Sequence, residues 1–188
     1  MSYKTLLFSV DGPVATLTFN RPDKLNALNR EMFEEISDVL DKINATPAIR
    51  VLLLTGAGRA FIAGADISTF LELDALSARE FSSTKHAIGK RIEEIEIPTI
   101  AAVNGFALGG GLEIAMLCDI IYASDQARFG QPEINLGILP GFGGTQRLSR
   151  LVGRGLAKEL CLTGRHIDAA EAKNMGIAAQ VFPHDRLM

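Results

Sequence analysis

The sequence has little of what a metal centre or a disulfide scaffold needs. Its 188 residues include two cysteines and three histidines. Two cysteines make no disulfide framework, and a reducing cytoplasm is the default expectation for such a chain. Cys118 and Cys161 both fall in apolar stretches and read as buried free thiols. No cluster of His, Cys or Asp has metal-ligand spacing. A Ser/His/Asp triad is poorly supported, since His86 falls in a helical stretch and His166 and His184 lie near the end, away from any strained serine turn. Charge of one sign is scarce as well. With 22 acidic and 19 basic residues the net charge is −3, which speaks against holding nucleic acid by bulk charge. One basic stripe, Lys85, Lys90 and Arg91, is followed at once by Glu93, Glu94 and Glu96 and reads as a solvated helix face.

Membrane and export signals are missing too. The start, Met1 to Leu7, has no basic region followed by an apolar core and a small-residue cleavage site, so a secretory signal is not expected. The most apolar stretch, residues 100–123, is broken by Asn104, three consecutive glycines, Glu113 and Asp119. A lipid span needs about 20 mostly apolar residues, and carboxylates near its centre would cost several kcal/mol each. The stretch is therefore expected to be soluble core. Hydrophobic residues at 47% and charged residues at 22% fit an ordinary globule. A chain of this size can hide roughly 70% of its unfolded surface.

What is there alternates between two periods. Residues 3–10 and 14–19 read as strands joined through Asp11-Gly12-Pro13. Met32, Phe33, Ile36, Leu40 and Ile43 share one face of a helix over about 30–45, with Asn29 as its cap and Pro47 closing it. Val51–Thr55 is a continuous apolar run that suits a strand covered on both faces. Further strands are expected at 99–103, 119–123 and 178–182, and a short glycine-interrupted apolar segment spans 61–65. Helices are expected at 77–96, 109–118, 145–151, 154–163 and 168–175. Strands alternating with helices predict an α/β architecture with mostly parallel strands.

Glycine placement carries more information than glycine number. Nine of the 18 glycines lie between residues 105 and 144. A phosphate loop is the obvious guess, and it fails. A G-x-G-x-x-G fingerprint would need glycine at Phe61, Ile114 or Gln146, and no Gly-Lys-Ser/Thr tripeptide exists for a P-loop. In Asn104–Glu113 a strand ends, a glycine run follows and a helix begins. Amides at a helix start have no internal partner and carry partial positive charge. Such amides can stabilise an oxygen that becomes negative. The same glycines could equally serve only to let helix pack closely on sheet.

Two acids sit among apolar neighbours. Glu113 lies in the first turn of the helix after the glycine run, and Glu133 lies in Phe129-Gly130-Gln131-Pro132-Glu133-Ile134. Taken singly, the first reads as a glutamate paired with a helix dipole and the second as a surface-loop acid. Taken together, beside a candidate oxyanion site, they suggest a general acid/base pair.

At these residues the sequence resembles the crotonase family, and within it the enoyl-CoA hydratases. The matching stretches are Phe19–Pro22 with Lys24–Leu28, Phe61–Ile67, Asn104–Glu113, Phe129–Glu133 with Gly137, and Pro140–Leu148. The resemblance implies a spiral of repeated strand-strand-helix units, the ClpP/crotonase fold, over residues 1–188. It implies an acyl-CoA thioester as the substrate. The thioester oxygen would accept hydrogen bonds from the amides of Ala65 and Gly110. Glu113 would activate water and Glu133 would deliver a proton to C2. Lys24, Ala27, Ala63, Gly64, Asp66, Ile67, Ser68 and Gly141 would contact substrate or its CoA moiety. Both acids being present favours hydratase over the related isomerases, which usually keep only the acid in the Glu133 role. No metal, no redox cofactor, no nucleic acid and no membrane is expected as a partner. Family members usually continue into a C-terminal helical module that helps form a trimer or dimer of trimers and closes the pocket. That module is expected to be absent here, which keeps a catalytically incompetent, scaffold or RNA-binding member as the alternative. Pocket depth is expected to depend on residues 68–95.

Overall fold

The computed structural model describes residues 3–68 and 73–188. Met1, Ser2 and positions 69–72 of the stretch expected to set pocket depth lie outside the described residues. The strands are β1 (Leu6–Asp11), β2 (Val14–Phe19), β3 (Val51–Gly56), β4 (Ala60–Ala63), β5 (Thr99–Val103), β6 (Phe106–Leu108), β7 (Ile120–Ser124), β8 (Arg128–Gly130), β9 (Ile167–Asp168) and β10 (Gln180–Phe182). The helices are α1 (Arg30–Asn44), α2 (Ala75–Glu93), α3 (Gly110–Ala115), α4 (Gly144–Thr163) and α5 (Ala169–Asn174).

The strands form a six-stranded sheet in the order β1-β2-β3-β5-β7-β10 and a four-stranded sheet in the order β4-β6-β8-β9. The chain lays one strand in the large sheet and the next in the small sheet, then runs a helix and repeats. The sets β3-β4-α2, β5-β6-α3 and β7-β8-α4 are three such turns. Pairing between turns is parallel, as in β2/β3, β3/β5, β5/β7 and β4/β6. Among the described residues, antiparallel pairing is confined to β1/β2 and β8/β9. The expected spiral is present, with its mostly parallel strands.

The corners between the sheets explain part of the glycine pattern. A Cβ on Gly105, between β5 and β6, would lie 2.1 Å from the carbonyl oxygen of Arg59. Asn104 stitches this corner to the previous one: its Oδ1 accepts from Gly56 N at 3.1 Å and its Nδ2 donates to Gly58 O at 2.9 Å. A buried side-chain amide satisfied at both ends fixes where successive turns meet.

Helix α1 shows how local sequence dictates local structure. Asn29 caps it by accepting from Met32 N at 2.9 Å, worth about 1 kcal/mol. Met32, Phe33, Ile36, Val39, Leu40 and Ile43 are buried on one face. Each contributes roughly 1.5–3 kcal/mol by leaving water.

Several expectations need correction. The three-residue strands β6 and β8 and the two-residue β9 are additional to those expected, being too short to show a period in the sequence. The helices expected at 145–151 and 154–163 form one element, α4, kinked at Gly153 (φ 77°, ψ 155°). Helix α2 starts and ends earlier than expected, and α3 is shorter. Strand β3 is not covered on both faces, because Val51 and Leu53 are only half-buried. Cys118 is buried, and burial pushes its thiol up to about 12. Cys161 is free and half-buried against the core, and burial raises its thiol pKa, with the charges of Glu133 and Glu113 adding to the rise. No described helix is long and apolar enough to cross a membrane.

Candidate active site

Three successive turns of the spiral converge on a cavity of about 330 Å³. Its wall includes Ala63, Gly64, Ala65 and Ile67 from the end of β4, Gly109, Gly110 and Glu113 from the start of α3, and Glu133 from the turn after β8. Leu28, Phe33, Phe81, Lys85, Leu139, Gly141 and Phe142 close it. The lining is mostly apolar with few polar groups, as ligand pockets are.

Two backbone amides open onto this space. Segment 63–66 pairs with segment 25–28: Leu28 N donates to Gly64 O at 2.9 Å, and Asp66 N donates to Leu28 O at 2.8 Å. This ladder engages the Gly64 carbonyl and the Asp66 amide on either side of Ala65 and leaves the amide of Ala65 itself without an acceptor among the described residues. Gly110 is the first residue of α3, where a helix offers its amides no internal acceptor. The preceding Gly109 has φ 52° and ψ −122°, a conformation costly for any residue with a side chain. Gly111 serves packing instead: a Cβ there would lie 2.0 Å from Ile62 O. Both readings of the glycine run therefore hold, at adjacent residues.

Glu113 is 2% exposed. Its Oε1 accepts from Phe142 N and Gly144 N, each at 2.7 Å, which sets the carboxyl against the N-terminus of α4. Burial raises its pKa, while those two amides and the charges of Lys85 and Arg147 oppose the rise. Its Oε2 has no protein partner among the described residues. Arg147 secures the loop that holds Glu113. Its guanidinium donates to Phe142 O and pairs with Glu93 at 3.1 Å.

Glu133 faces the same cavity. Its Oε1 lies 3.2 Å from where a Cβ on Gly109 would stand. Burial pushes its pKa up to about 7, and the charge of Glu113 adds to the rise. The fully buried Gln131 turns its amide nitrogen to this carboxyl, donating to Oε1 at 2.7 Å and Oε2 at 3.0 Å. The opposite orientation would set oxygen against oxygen.

Not every residue singled out in the sequence reaches the cavity. Ala63, Gly64, Ala65, Ile67, Gly110, Glu113, Glu133 and Gly141 line it, whereas Lys24, Ala27, Asp66 and Ser68 do not. Asp66 pairs with Arg21 at 3.0 Å and accepts from Ser68 Oγ at 2.7 Å. Those two bonds hold its carboxyl below the usual range. Lys24 is exposed at the end of the turn Pro22–Lys24, beside the 25–28 strip. Ala27 O is tied to Arg21 Nη1 at 2.5 Å.

The basic stripe is the clearest correction. Lys90 pairs with Glu94 at 3.4 Å, and Arg91 pairs with Asp41 at 2.6 Å. Lys85, by contrast, lines the cavity. The reason is helical phase: Phe81, Lys85, Ile88 and Ile92 follow the 4-3-4 spacing of one inward face. That spacing was the signal available in the sequence. Phe33, Phe142 and Arg147 were also missed as site residues. Phe142 packs edge-on against Phe33 with ring centroids 5.5 Å apart.

Comparison with known proteins places this geometry. The family model described as enoyl-CoA hydratase/isomerase matches residues 10–188. The chain is 49% identical over 189 residues to the short-chain-enoyl-CoA hydratase of Clostridium acetobutylicum, covering 100% of this chain and 72% of that protein. It is 47% identical over 189 residues to the crotonyl-CoA hydratase of Syntrophomonas wolfei, covering 100% of this chain and 73% of that protein. The crystal structure of enoyl-CoA hydratase from Bacillus anthracis is similar at a TM-score of 0.93 and 40% identity, covering 98% of this chain and 72% of that one.

Proposed function

The chain belongs to the enoyl-CoA hydratase/isomerase family, and from that premise we propose that it is an enoyl-CoA hydratase, adding water syn across the C2=C3 bond of a trans-2-enoyl-CoA. One observation carries the reading: a buried glutamate, Glu113, and a half-buried one, Glu133, share an apolar cavity with two unengaged amides.

The chemistry asks for this set of groups. When water attacks C3, electron density moves onto the thioester oxygen. Ala65 N and Gly110 N donate to that oxygen, and losing one such donor costs on the order of a hundredfold in rate. Glu113, whose carboxylate form its two amide donors favour against the effect of burial, takes the proton of the attacking water through its open Oε2. Glu133, with a pKa near 7, holds a proton through much of the neutral range and delivers it to C2. Because the two acids share one site, they titrate as a pair. No metal or redox cofactor takes part in this scheme. The strips 24–28 and 63–68 form the face that receives CoA, with Lys24 and Ala27 at its outer edge and Asp66 and Ser68 holding it together.

The assay is direct. Adding the protein to crotonyl-CoA abolishes the enoyl absorbance and yields 3-hydroxybutanoyl-CoA. Migration of a double bond without uptake of water would favour the isomerase reading, and no reaction would favour a scaffold or RNA-binding role. The exposed Leu151, Leu156 and Leu162 of α4 support a homo-oligomer, a trimer or a dimer of trimers, which light scattering tests. A cytoplasmic location fits an enzyme of this kind.

A further inference from the structure

Lys85 is the only cation among the described residues that line the cavity. It has no ion-pair or hydrogen-bond partner among them. Its ammonium stands 5.5 Å from the ring centroid of Phe81 and 5.9 Å from that of Phe142. Burial lowers its pKa, and the charge of Glu113 works against that fall. A half-buried ammonium that faces rings and aliphatic side chains loses hydration without a compensating acceptor. It costs less once a ligand supplies one.

The order of groups along the wall says which part of a ligand that is. Gly110 opens α3, and Glu113 follows one turn later. Glu113 is bonded to Phe142 N. The Lys85 ammonium lies 3.7 Å from where a Cβ on the neighbouring Gly141 would stand. Gly110, Glu113, Phe142, Gly141 and Lys85 are thus linked in that order, leading away from the amide proposed to receive the thioester oxygen. The acyl tail beyond C3 runs toward the ammonium.

We propose that Lys85 selects short 2-enoyl thioesters whose tail ends in a carboxylate, by pairing with it at the far end of the cavity. The proposal rests on the hydratase reading of the same site. The aromatic rings around Lys85 exclude water and so strengthen the pair. A plain alkyl tail of equal length leaves the ammonium unpaired and is the poorer substrate. Lys85 does not touch the reacting carbons; its charge also favours ionised Glu113, but equally for every substrate, so a ratio between two substrates isolates its part in selectivity.

The test compares two thioesters that differ only at C5: glutaconyl-CoA, which carries a carboxylate there, and trans-2-pentenoyl-CoA, which carries a methyl. The readout is the ratio of their kcat/KM values. Lys85→Met lowers that ratio by about tenfold or more, the worth of one charge-assisted hydrogen bond, whereas Lys85→Arg retains most of it. A ratio that changes less than about twofold in Lys85→Met overturns the proposal and leaves the ammonium to Glu34 and Glu80 across an adjoining 70 Å³ hollow. If Lys85→Met does not fold, Lys85→Gln serves in its place. If the wild type hydrates neither thioester, the hydratase reading fails separately. Lys85 is then read by calorimetry from the Kd ratio of the saturated pair, glutaryl-CoA and pentanoyl-CoA. An unchanged ratio there overturns the proposal as well.

Discussion

The two ends of the cavity are built of different material. At one end the working groups are main-chain amides, of Ala65 and Gly110, placed by a strand pairing and a helix start. At the other they are side chains, Phe33, Phe81, Lys85 and Phe142, contributed by α1, α2 and the loop before α4. Amides at a fixed position suit a task that never changes, stabilising charge on a thioester oxygen. Side chains on a helix can be exchanged without disturbing a sheet, which suits recognition of a variable tail. The carboxyls of Glu113 and Glu133 stand between, the first buried and the second half-buried, and both are adjusted by neighbours.

The sharpest way to break this division is to remove the acids. Glu113→Gln and Glu133→Gln each lower kcat/KM for crotonyl-CoA by about a hundredfold to ten-thousandfold, the usual worth of a positioned acid or base. Circular dichroism of both variants matches the wild type. Near-normal turnover in either one refutes the assignment. Next comes the main-chain end. Gly111→Ala would put a methyl 2.0 Å from Ile62 O, so α3 must lift from β4. The expected cost is about 1–3 kcal/mol or more in a denaturant titration, with activity lost in step.

Arg147 tests the region between. Replacing it with Met frees the carbonyl of Phe142 and removes a charge that favours ionised Glu113. The expected outcome is a loss of about tenfold in kcat/KM. The acid limb of the pH profile also moves to higher pH, because the base then holds its proton more tightly. A loss with no movement of that limb would make Arg147 a packing residue alone.

The smallest effect concerns stability. Glu133 has a folded pKa of about 7, above its value of about 4.3 in an unfolded chain. A carboxyl raised in this way does not destabilise the fold at low pH and progressively does so as pH rises through that window. Glu133→Gln should therefore melt higher than wild type at pH 8, by about 1–3 kcal/mol of stability, and the gap should shrink toward pH 5. A gap that does not vary with pH would mean that Glu133 is already ionised across the range.

The main-chain end was legible in the sequence because its requirements are local. A glycine run before a helix, followed within a turn by a glutamate in an apolar stretch, shows itself in ten contiguous residues, 104–113. The side-chain end was not legible in the same way. Phe33, Phe81 and Phe142 meet only through tertiary packing, and proximity in sequence sets Lys85 with Lys90 and Arg91 where helical phase separates them. The architecture followed from alternating periods. Strands β6, β8 and β9 of the small sheet did not, because two or three residues are too few to carry a period. Among contact residues, Asp66 shows how a polar residue in a matching motif can serve the loop's own integrity, here through Arg21 and Ser68.

The spiral has a consequence in time. Each parallel pairing joins strands from different turns, as when Val14 meets Val51 and Leu52 meets Thr99. Such non-local pairings slow folding, since chain entropy is lost before the contacts that compensate for it form. The amides and acids of the cavity come from three consecutive turns, 63–67, 109–113 and 133–142, so no single turn contains the whole catalyst. During refolding, helix signal and hydrophobic collapse should therefore precede hydration activity. The first turnover would mark the moment when the last of those turns docks.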